Sequence, residues 1–424
     1  MTMRERLIAL AKAEPHEVLP LIWAFAYFFC LLCGYYVLRP VRDEMVIQGG
    51  LRNLPWMMTG TFVTLLTVTP LFGLLSARLS RYRLLMTVYT FFAANLAVFY
   101  VLMAAHIAPD WVARVFFVWL SVFNLFVVSV FWSFMADLFT PEQGARLFGV
   151  IAAGGSTGAL VGPALAGSLP ALMGIPPLML LSDLLLLGCL ACIHRLDRGT
   201  AGRTRAHHAP PEQPLRGSIW AGIRLTVSSP YLLAICGYLL CLTATATFLY
   251  MEQTRTVAET ISASTERTQL FARIDLLVNG LTLVVQLFGT NRLIARFGLA
   301  TALLVLPVVS LVGFAALGMD QALSLIIAVT VVRRVGEYAV SKPAREILFT
   351  VVPREEKYKA KNFIDTAVSR GGDASTGWLV SGIKALGAST ALIAWALAPV
   401  MILWAWLGWW LAKGERERRV RGEE

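Results

Sequence analysis

Long apolar segments alternate with short polar ones along nearly the whole chain. Most of the apolar segments are near the ~20 residues with which a helix crosses a bilayer. Backbone polar groups in lipid must be satisfied within their own segment, so helix is the predicted state. The pattern predicts an all-α polytopic membrane protein with twelve transmembrane helices, at approximately 18–43, 55–77, 84–105, 111–138, 145–169, 175–194, 229–251, 270–295, 299–318, 321–349, 360–386 and 388–412.

Composition and charge agree with a membrane protein. Of 424 residues, 57% are hydrophobic and only 15% are charged, whereas roughly a quarter of all residues in a soluble chain are charged. The net charge of +11 could indicate nucleic-acid binding. Its arginines and lysines, however, fall in short loops between the predicted spans, as in cytoplasmic loops. We therefore expect a lipid bilayer, and not nucleic acid, as the partner.

The placement of basic residues also predicts the orientation. With twelve spans, the basic loops after spans 2, 6, 8 and 10 and the basic C-terminal segment all lie on one side, so both termini are expected in the cytoplasm. The predicted division is a cytoplasmic N-terminal helix (1–17), an N-terminal six-helix bundle (18–194), a cytoplasmic linker (195–217), a C-terminal six-helix bundle (218–412) and a basic cytoplasmic tail (413–424).

Features typical of enzymes and metal sites are weak or absent in the sequence. Cys30 and Cys33, and Cys189 and Cys192, have C-x-x-C spacing, but they lie in apolar segments without a second polar ligand set, so buried apolar residues are the better interpretation. The chain has no H-E-x-x-H and no Walker motif. We expect no metal, no cofactor and no hydrolysis of ATP by this chain.

Three pairs of motifs recur in the same order, about half a chain apart. Residues 140–143 resemble 352–355, the glycine-rich 154–162 resembles 371–382, and Gly73 with its following arginines resembles Gly289 with its own. Parallel six-span halves are typical of the major facilitator fold. The loop 73–83 also resembles the glycine-led basic signature of that superfamily, although Ala77 replaces its usual aspartate.

Charged residues inside predicted spans are the main candidates for function, because charge at membrane depth is costly. Each one either forms a structural ion pair or lines a watery cavity for a solute; for the group as a whole the cavity is favoured. Guanidinium groups suit phosphate, since their planar fork donates two hydrogen bonds. The candidate substrate-binding residues are Arg39, Arg42, Asp43, Glu252, Arg333, Glu337, Lys342, Arg345, Glu346, Asp365 and Arg370.

Three further carboxylates are candidates for carrying a coupling proton, since desolvation raises a carboxyl pKa. They are Asp183 in span 6, Asp275 in span 8 and Asp373 in span 11, and the sequence does not choose between them. Glu252 has a competing interpretation as part of a solvated helix end.

The same charged positions resemble motifs of the ATP/ADP translocase family of plastids and intracellular bacteria. The resemblance is carried by the run Arg39 to Asp43, by Glu252, by Tyr338 with Arg345 and Glu346, and by the run 355–361 followed by Ile364 and Asp365. It implies a divergent bacterial relative in the inner membrane, with nucleotide-contacting positions at Arg42, Glu252 and Arg345. Glu337 and Lys342 depart from the family pattern, as if charges were exchanged within one helix.

The sequence therefore favours a secondary active transporter that moves an organic anion, a nucleotide or another phosphorylated metabolite, by alternating access. An alternative is a proton-coupled exporter of lipophilic compounds in the same fold, and a less favoured one is a polytopic membrane enzyme. The expected partners are an anionic small molecule and lipid. The oligomeric state is open, and a monomer is compatible with the sequence.

Overall fold

The computed structural model describes residues 13–200, 219–353 and 360–422. Within these ranges the regular structure is entirely helical. Nine helical stretches there are long and apolar enough to cross a membrane, and the count of twelve spans stays a prediction. Much of the predicted N-terminal helix and linker, most of the run 355–361 and the last two residues of the tail lie outside the described residues.

The α-helices follow one another in the order of the predicted spans. They are α1 (Val18–Gln48), α2 (Leu54–Arg78), α3 (Arg81–Ala104), α4 (Pro109–Leu138), α5 (Pro141–Ser168), α6 (Pro170–Met173), α7 (Pro177–Thr200), α8 (Ile219–Ser228), α9 (Pro230–Thr260), α10 (Ser264–Val285), α11 (Asn291–Met319), α12 (Leu323–Gly336), α13 (Lys342–Leu348), α14 (Ser369–Ala385), α15 (Thr390–Ala396) and α16 (Ala398–Val420). Three π-helices interrupt them: π1 (Gln286–Thr290), π2 (Glu337–Ser341) and π3 (Ile364–Val368).

The chain forms two compact units that differ from contiguous sequence halves. Unit 1 comprises Met1–Gly49, Thr67–Pro214 and Ala263–Leu276, and unit 2 comprises Gly50–Leu66, Leu215–Ser262 and Leu277–Glu424. Helices α2 and α10 thus contribute one part to each unit. Hydropathy marks where a span lies but not which neighbours it packs against, so this distribution was not predictable.

In unit 1 the glycine row of α5 lets α1 approach closely. A methyl group on Gly154 or Gly158 would lie 2.5 Å from the carbonyl oxygen of Phe25 or Phe29, and on Gly162 it would lie 2.6 Å from that of Cys33. Such distances are possible only without a side chain, and small residues at every fourth position permit this packing within membranes. Aromatic residues of α1, α3 and α4 fill the other side of α1, where Tyr27 and Tyr89 share a 2.6 Å hydrogen bond.

In unit 2, polar side chains donate hydrogen bonds to backbone carbonyl oxygens of neighbouring helices, including those of π2. Thr290 of π1 donates to the carbonyl oxygen of Ala339 in π2 at 2.7 Å, and Gln286 donates to that of Tyr338 at 3.2 Å. The fully buried Tyr238 of α9 donates to the carbonyl oxygen of Leu303 in α11. These bonds matter because backbone groups released from regular helix need partners inside a membrane.

Several helices extend beyond their predicted limits. Helix α9 ends at Thr260 rather than near residue 251, α7 continues to Thr200 into the predicted linker, and α16 continues to Val420 through most of the predicted tail. Hydropathy falls at the first polar residues, but a helix continues as long as its backbone bonds are made. These helices therefore continue up to about two and a half turns beyond the span limits that hydropathy predicts.

Candidate functional site

Charges at the end of α1 are paired within unit 1. Glu44 is fully buried and accepts two 2.7 Å hydrogen bonds from the guanidinium of Arg267 in α10. One turn earlier, Arg39 Nε lies 3.6 Å from Asp275 Oδ2. Asp275 is therefore the ion-pair partner of Arg39 rather than of its sequence neighbour Arg273. The two pairs join α1 to the first part of α10.

Arg42 has a different environment, although it is one turn from Arg39. Its Nη2 lies 2.7 Å from Oδ1 of the adjacent Asp43, and its guanidinium lies over the ring of Phe117 at 5.4 Å from the centroid. A cation held over an aromatic face is stabilised electrostatically. Pro40 lies inside α1 without ending it.

The largest concentration of charge in unit 2 lies on α12, π2 and α13. Arg333 donates to Glu337, four residues further along, at 2.9 Å. Arg345 Nη2 lies 3.1 Å from Asp365 Oδ1 of π3, and Lys361 forms an ion pair with Glu346. Lys342 is exposed.

Helix α14 adds a second polar group to this region. Arg370 Nη1 lies 3.3 Å from Asp373 Oδ2, and Thr247 of α9 donates to the other oxygen of Asp373 at 3.1 Å. The carboxylate of Asp365 also interacts electrostatically with the positive charges of Arg345, Lys361 and Lys342. Residues from α9, α12, π2, α13, π3 and α14 that are far apart in sequence thus influence one another electrostatically. We call their charged members the charged seam of unit 2: Arg333, Glu337, Lys342, Arg345, Glu346, Lys361, Asp365, Arg370 and Asp373.

Arg333 is the most buried cation of this seam. Its side chain is only 5% exposed, and among the described residues its Nε and Nη1 have no hydrogen-bond partner. A buried guanidinium with two unmade hydrogen bonds is costly. Arg333 precedes π2 by one turn, and π-helical turns inside α-helices are frequent at functional sites.

Glu252 is buried, so its interpretation as a solvated helix end is wrong. Only 3% of the residue is exposed. Its carboxylate forms an ion pair with Lys384 of α14 and accepts a 2.6 Å hydrogen bond from Thr390 of α15. Helix α9 runs two further turns past Glu252, which places it inside the unit rather than at an end.

The structure brings together most of the predicted residues, but in separate groups. Arg39 with Asp275, and Arg42 with Asp43, lie in unit 1, whereas the seam and the Glu252 pair lie in unit 2. Asp183 on α7 joins neither group, and its buried Oδ1 has no hydrogen-bond partner among the described residues. Sequence reasoning missed Arg267 and Lys384 because both stand near predicted span ends, where basic residues are ordinary.

The basic loop after α2 has an acidic partner after all. Ala77 replaces the family aspartate, but Arg81 at the start of α3 forms an ion pair with Asp137 near the end of α4. The acidic group comes from another helix, so the loop signature alone could not reveal it.

One group of possible metal ligands occurs among the described residues, at the start of α1. Ligand atoms of Glu14, His16 and Glu17 lie within 4.8 Å of one another. Glu17 already accepts hydrogen bonds from Gln143 at 2.7 Å and Arg146 at 3.0 Å. Burial raises the pKa of Glu17, but the bonds from the Glu14 backbone, Gln143 and Arg146 outweigh it, so its pKa is lowered. These contacts assign Glu17 to an ion pair that joins α1 to α5.

Comparison with known proteins decides the family. The sequence model of the Major Facilitator Superfamily matches residues 24–265, more than half of the chain. The chain belongs to the major facilitator superfamily. It is accordingly a polytopic membrane transporter rather than an enzyme.

Two curated relatives extend the similarity to nearly the whole chain. ADP,ATP carrier protein 1 of Chlamydia trachomatis is 22% identical, over 92% of this chain and 87% of the carrier. ADP,ATP carrier protein 1 of Chlamydia muridarum is also 22% identical, with the same shares covered. The superfamily member described here therefore resembles these carriers in sequence along both of its units.

Solved structures show the same fold at low identity. The peptide transporter PepTSo of the POT family is 14% identical, with a TM-score of 0.67, and 94% of this chain and 98% of that one are covered. The nucleoside transporter NupG is 14% identical, with a TM-score of 0.63 and the same coverage. At this identity the likeness concerns the fold.

Proposed function

We propose that the protein is a secondary active transporter of an organic anion, either a nucleotide or another phosphorylated metabolite, that works by alternating access. We further propose that it resides in a bacterial inner membrane with both termini in the cytoplasm, as the arginine and lysine placement indicates. The solute-binding residues belong to the charged seam of unit 2 and to Arg39, Arg42 and Asp43 of unit 1.

The observation that carries the proposal is that the buried guanidinium of Arg333 does not make all of its possible hydrogen bonds. Two of its buried nitrogen atoms lack hydrogen-bond partners among the described residues. An oxyanion with several oxygens would complete these bonds, and charge-assisted bonds from arginine are the strongest that a neutral-pH solute can accept. A neutral or cationic solute would leave the cost of burying this guanidinium uncompensated.

The balance of charge in the seam supports an anionic solute. Four carboxylates face five cations there, so ion pairing leaves positive charge in excess even with every carboxylate ionised. The carboxylates are Glu337, Glu346, Asp365 and Asp373, and the cations are Arg333, Lys342, Arg345, Lys361 and Arg370. Excess positive charge inside a low-dielectric unit attracts a negative solute more strongly than the same charge in water.

The similarity to ADP,ATP carriers favours a nucleotide over other anions. It covers 92% of this chain, and those proteins are named for adenine nucleotides. The positions that resemble the family's nucleotide contacts divide unequally. Arg42 pairs with the adjacent Asp43, and Arg345 pairs with Asp365 while its buried Nε has no hydrogen-bond partner among the described residues. Glu252 instead joins α9 to Lys384 of α14 and Thr390 of α15. We therefore assign solute contact to Arg42 and Arg345, and a helix-joining role to Glu252.

A thermal-shift screen of the purified protein followed by uptake into proteoliposomes tests the proposal. Adenine nucleotides, sugar phosphates and carboxylates are added at saturating concentration, and the stabilising compound is then used as the labelled solute. A ligand at about 100 times its Kd stabilises by about 2.7 kcal/mol, which such a screen detects. Arg345→Gln and Arg333→Gln are each expected to lower uptake at least tenfold and to remove the thermal shift.

Arg255→Gln is the matched control, because Arg255 is a half-exposed arginine of α9 whose nearest partner is Glu259. It carries the same substitution outside the seam, so its uptake should be unchanged. Normal uptake by both seam variants would refute the assigned site, and stabilisation by neutral or cationic solutes alone would refute the solute class.

Asp183 favours a second candidate function, the proton-coupled export of lipophilic compounds. A carboxylate with an unbonded buried oxygen in an apolar helix is suited to binding a proton. In that case Asp183→Asn abolishes drug efflux driven by a pH gradient, whereas Arg345→Gln does not. The anion transporter gives the opposite ranking of the two variants.

A further inference from the structure

A cavity of about 330 Å³ lies within unit 2, at the end that carries the basic C-terminal residues. It is a half-open groove bordered by the start of α11, by α13 and by the end of α16. The backbone of α11 breaks at Gly298, whose φ of 81° favours glycine, so the wall residues before and after it come from separate helical stretches. The lining residues are Ile294, Leu299, Ala300, Ile347, Ala412, Glu415, Arg416 and Arg419.

The cavity combines an apolar wall with a cationic mouth. Five of its lining residues are aliphatic, and Arg416 and Arg419 are exposed beside them. Glu415 is buried and paired with Arg419, so its charge is compensated. Arg416 forms no ion pair within the described part of the chain. Such a site fits an amphipathic anion better than a fully polar one, because a fully polar ligand would leave the apolar wall unused.

The position of the cavity along α16 indicates contact with lipid. Trp406 and Trp409 of the same helix are about half exposed, and Lys413 lies over the ring of Trp409 at 5.9 Å. Tryptophan and lysine in this order mark the passage from hydrocarbon to headgroups. Arg416 and Arg419 follow by one and two turns, where we expect lipid phosphates on the face that the basic loops predict to be cytoplasmic.

We propose that this cavity binds an anionic phospholipid, with the phosphate held by Arg416 and Arg419 and the upper acyl chain against Ile294, Leu299 and Ala300. Basic pockets between helices on the cytoplasmic side of membrane proteins suit such headgroups. The site is separate from the charged seam, and it requires neither the anion transporter nor the exporter to be correct.

The test is the melting temperature of the full-length protein in detergent with added phosphatidylglycerol, phosphatidylcholine or soluble glycerol phosphate. We expect phosphatidylglycerol to raise it by several degrees and the other two to have little effect. Arg416→Gln/Arg419→Gln should lose at least half of that shift. Lys413→Gln/Arg421→Gln removes the same charge from α16 and the residue that follows it, but not from the cavity, and should keep the shift.

Two further variants distinguish lipid binding in the cavity from general electrostatic attraction of the lipid and from misfolding of the protein. Arg416→Gln alone leaves the Glu415–Arg419 pair intact and should still reduce the shift. Ala300→Phe fills the apolar wall without changing charge and should reduce it too. Equal losses in the two double variants, an equal shift with glycerol phosphate, or a full shift in Ala300→Phe would each overturn the proposal.

Discussion

The two units use opposite means to hold charged and polar groups within a membrane. In unit 1 the helices around α1 are regular, aromatic and closely packed, and its buried pair Glu44–Arg267 has two short hydrogen bonds. In unit 2 the helices are interrupted by π1, π2 and π3, and the charges form a series of looser pairs. Both carboxylate oxygens of Glu44 in unit 1 are hydrogen-bonded, whereas two guanidinium nitrogen atoms of Arg333 in unit 2 have no hydrogen-bond partner among the described residues.

This difference indicates a division of labour. A π-helix inserts one residue and turns the following side chains by about 100° relative to a continuous α-helix. In the segment of α12, π2 and α13 it determines which way Arg345 points relative to Arg333. Natural proteins depart from local regularity mainly at functional sites. The irregular unit is thus the better candidate for solute contact and the regular one for support.

The largest effect is expected from the buried pair of unit 1. Glu44→Gln leaves the Arg267 charge buried without its partner, so we expect a loss of about 3–5 kcal/mol of stability. Glu346→Gln breaks the half-exposed pair with Lys361 in unit 2 and should cost about 0–1 kcal/mol. Melting temperatures of the purified variants measure both. Equal losses would contradict the contrast between the units.

The second largest loss of stability is expected from overpacking of the glycine row. Gly158→Ala places a methyl group 2.5 Å from a backbone oxygen of α1, which cannot move alone, and costs about 1–3 kcal/mol. Gly372→Ala in unit 2 meets the side-chain oxygen of Thr243 at the same distance, and rotation of that side chain relieves it. Gly149→Ala has nothing within 4 Å and is the control. Size-exclusion profiles and melting temperatures should rank the three in that order.

The bond between π1 and π2 should have a smaller effect. Thr290→Val removes the donor to the Ala339 carbonyl and should cost about 1 kcal/mol, because that buried carbonyl loses this hydrogen bond. Thr157→Val is the matched control, since the side chain of exposed Thr157 bonds the preceding turn of its own helix α5. If π2 positions Arg345, Thr290→Val also lowers transport more than it lowers stability; a parallel decrease in both would leave π2 a purely structural element.

The smallest effect is a dependence on pH at the start of α1. The pKa of Glu17 is lowered in the folded protein, so its contribution is present above its ordinary pKa of 4.5 and is lost as pH falls through the lower, folded value. The melting temperature should therefore decrease below pH 4.5 more in the wild type than in Glu17→Gln. Identical slopes for the two proteins would show that another group is responsible.

Much of the architecture was predictable from the sequence. The apolar segments gave the helical class and the order of the spans, because helix is the only way to satisfy an isolated backbone segment in lipid. The glycine row at 154–162 is visible in the sequence, and its small residues at every fourth position explain the close contact of α5 with α1 in the structure. Arg333 and Glu337 were predictable as a pair, since residues four apart share a helix face.

The partners of most charges were not predictable. Asp275 pairs with Arg39 across more than 230 residues of sequence, Arg267 with Glu44, and Lys384 with Glu252. Pairing across helices depends on rotation and depth, and the π-helices change both without a hydropathy signal. The burial of Glu252 was missed for the same reason, because the true end of α9 lies two turns later.

The sequence by itself determined that the chain is a helical membrane protein, which residues carry costly charge and, through its motifs, a resemblance to nucleotide carriers. Only the tertiary structure decided which charges neutralise one another, which helix parts pack together and where Arg333 keeps unmade bonds. The reason is that span formation depends on local hydrophobicity, whereas ion pairing depends on distances of a few ångströms between segments that are far apart in the chain.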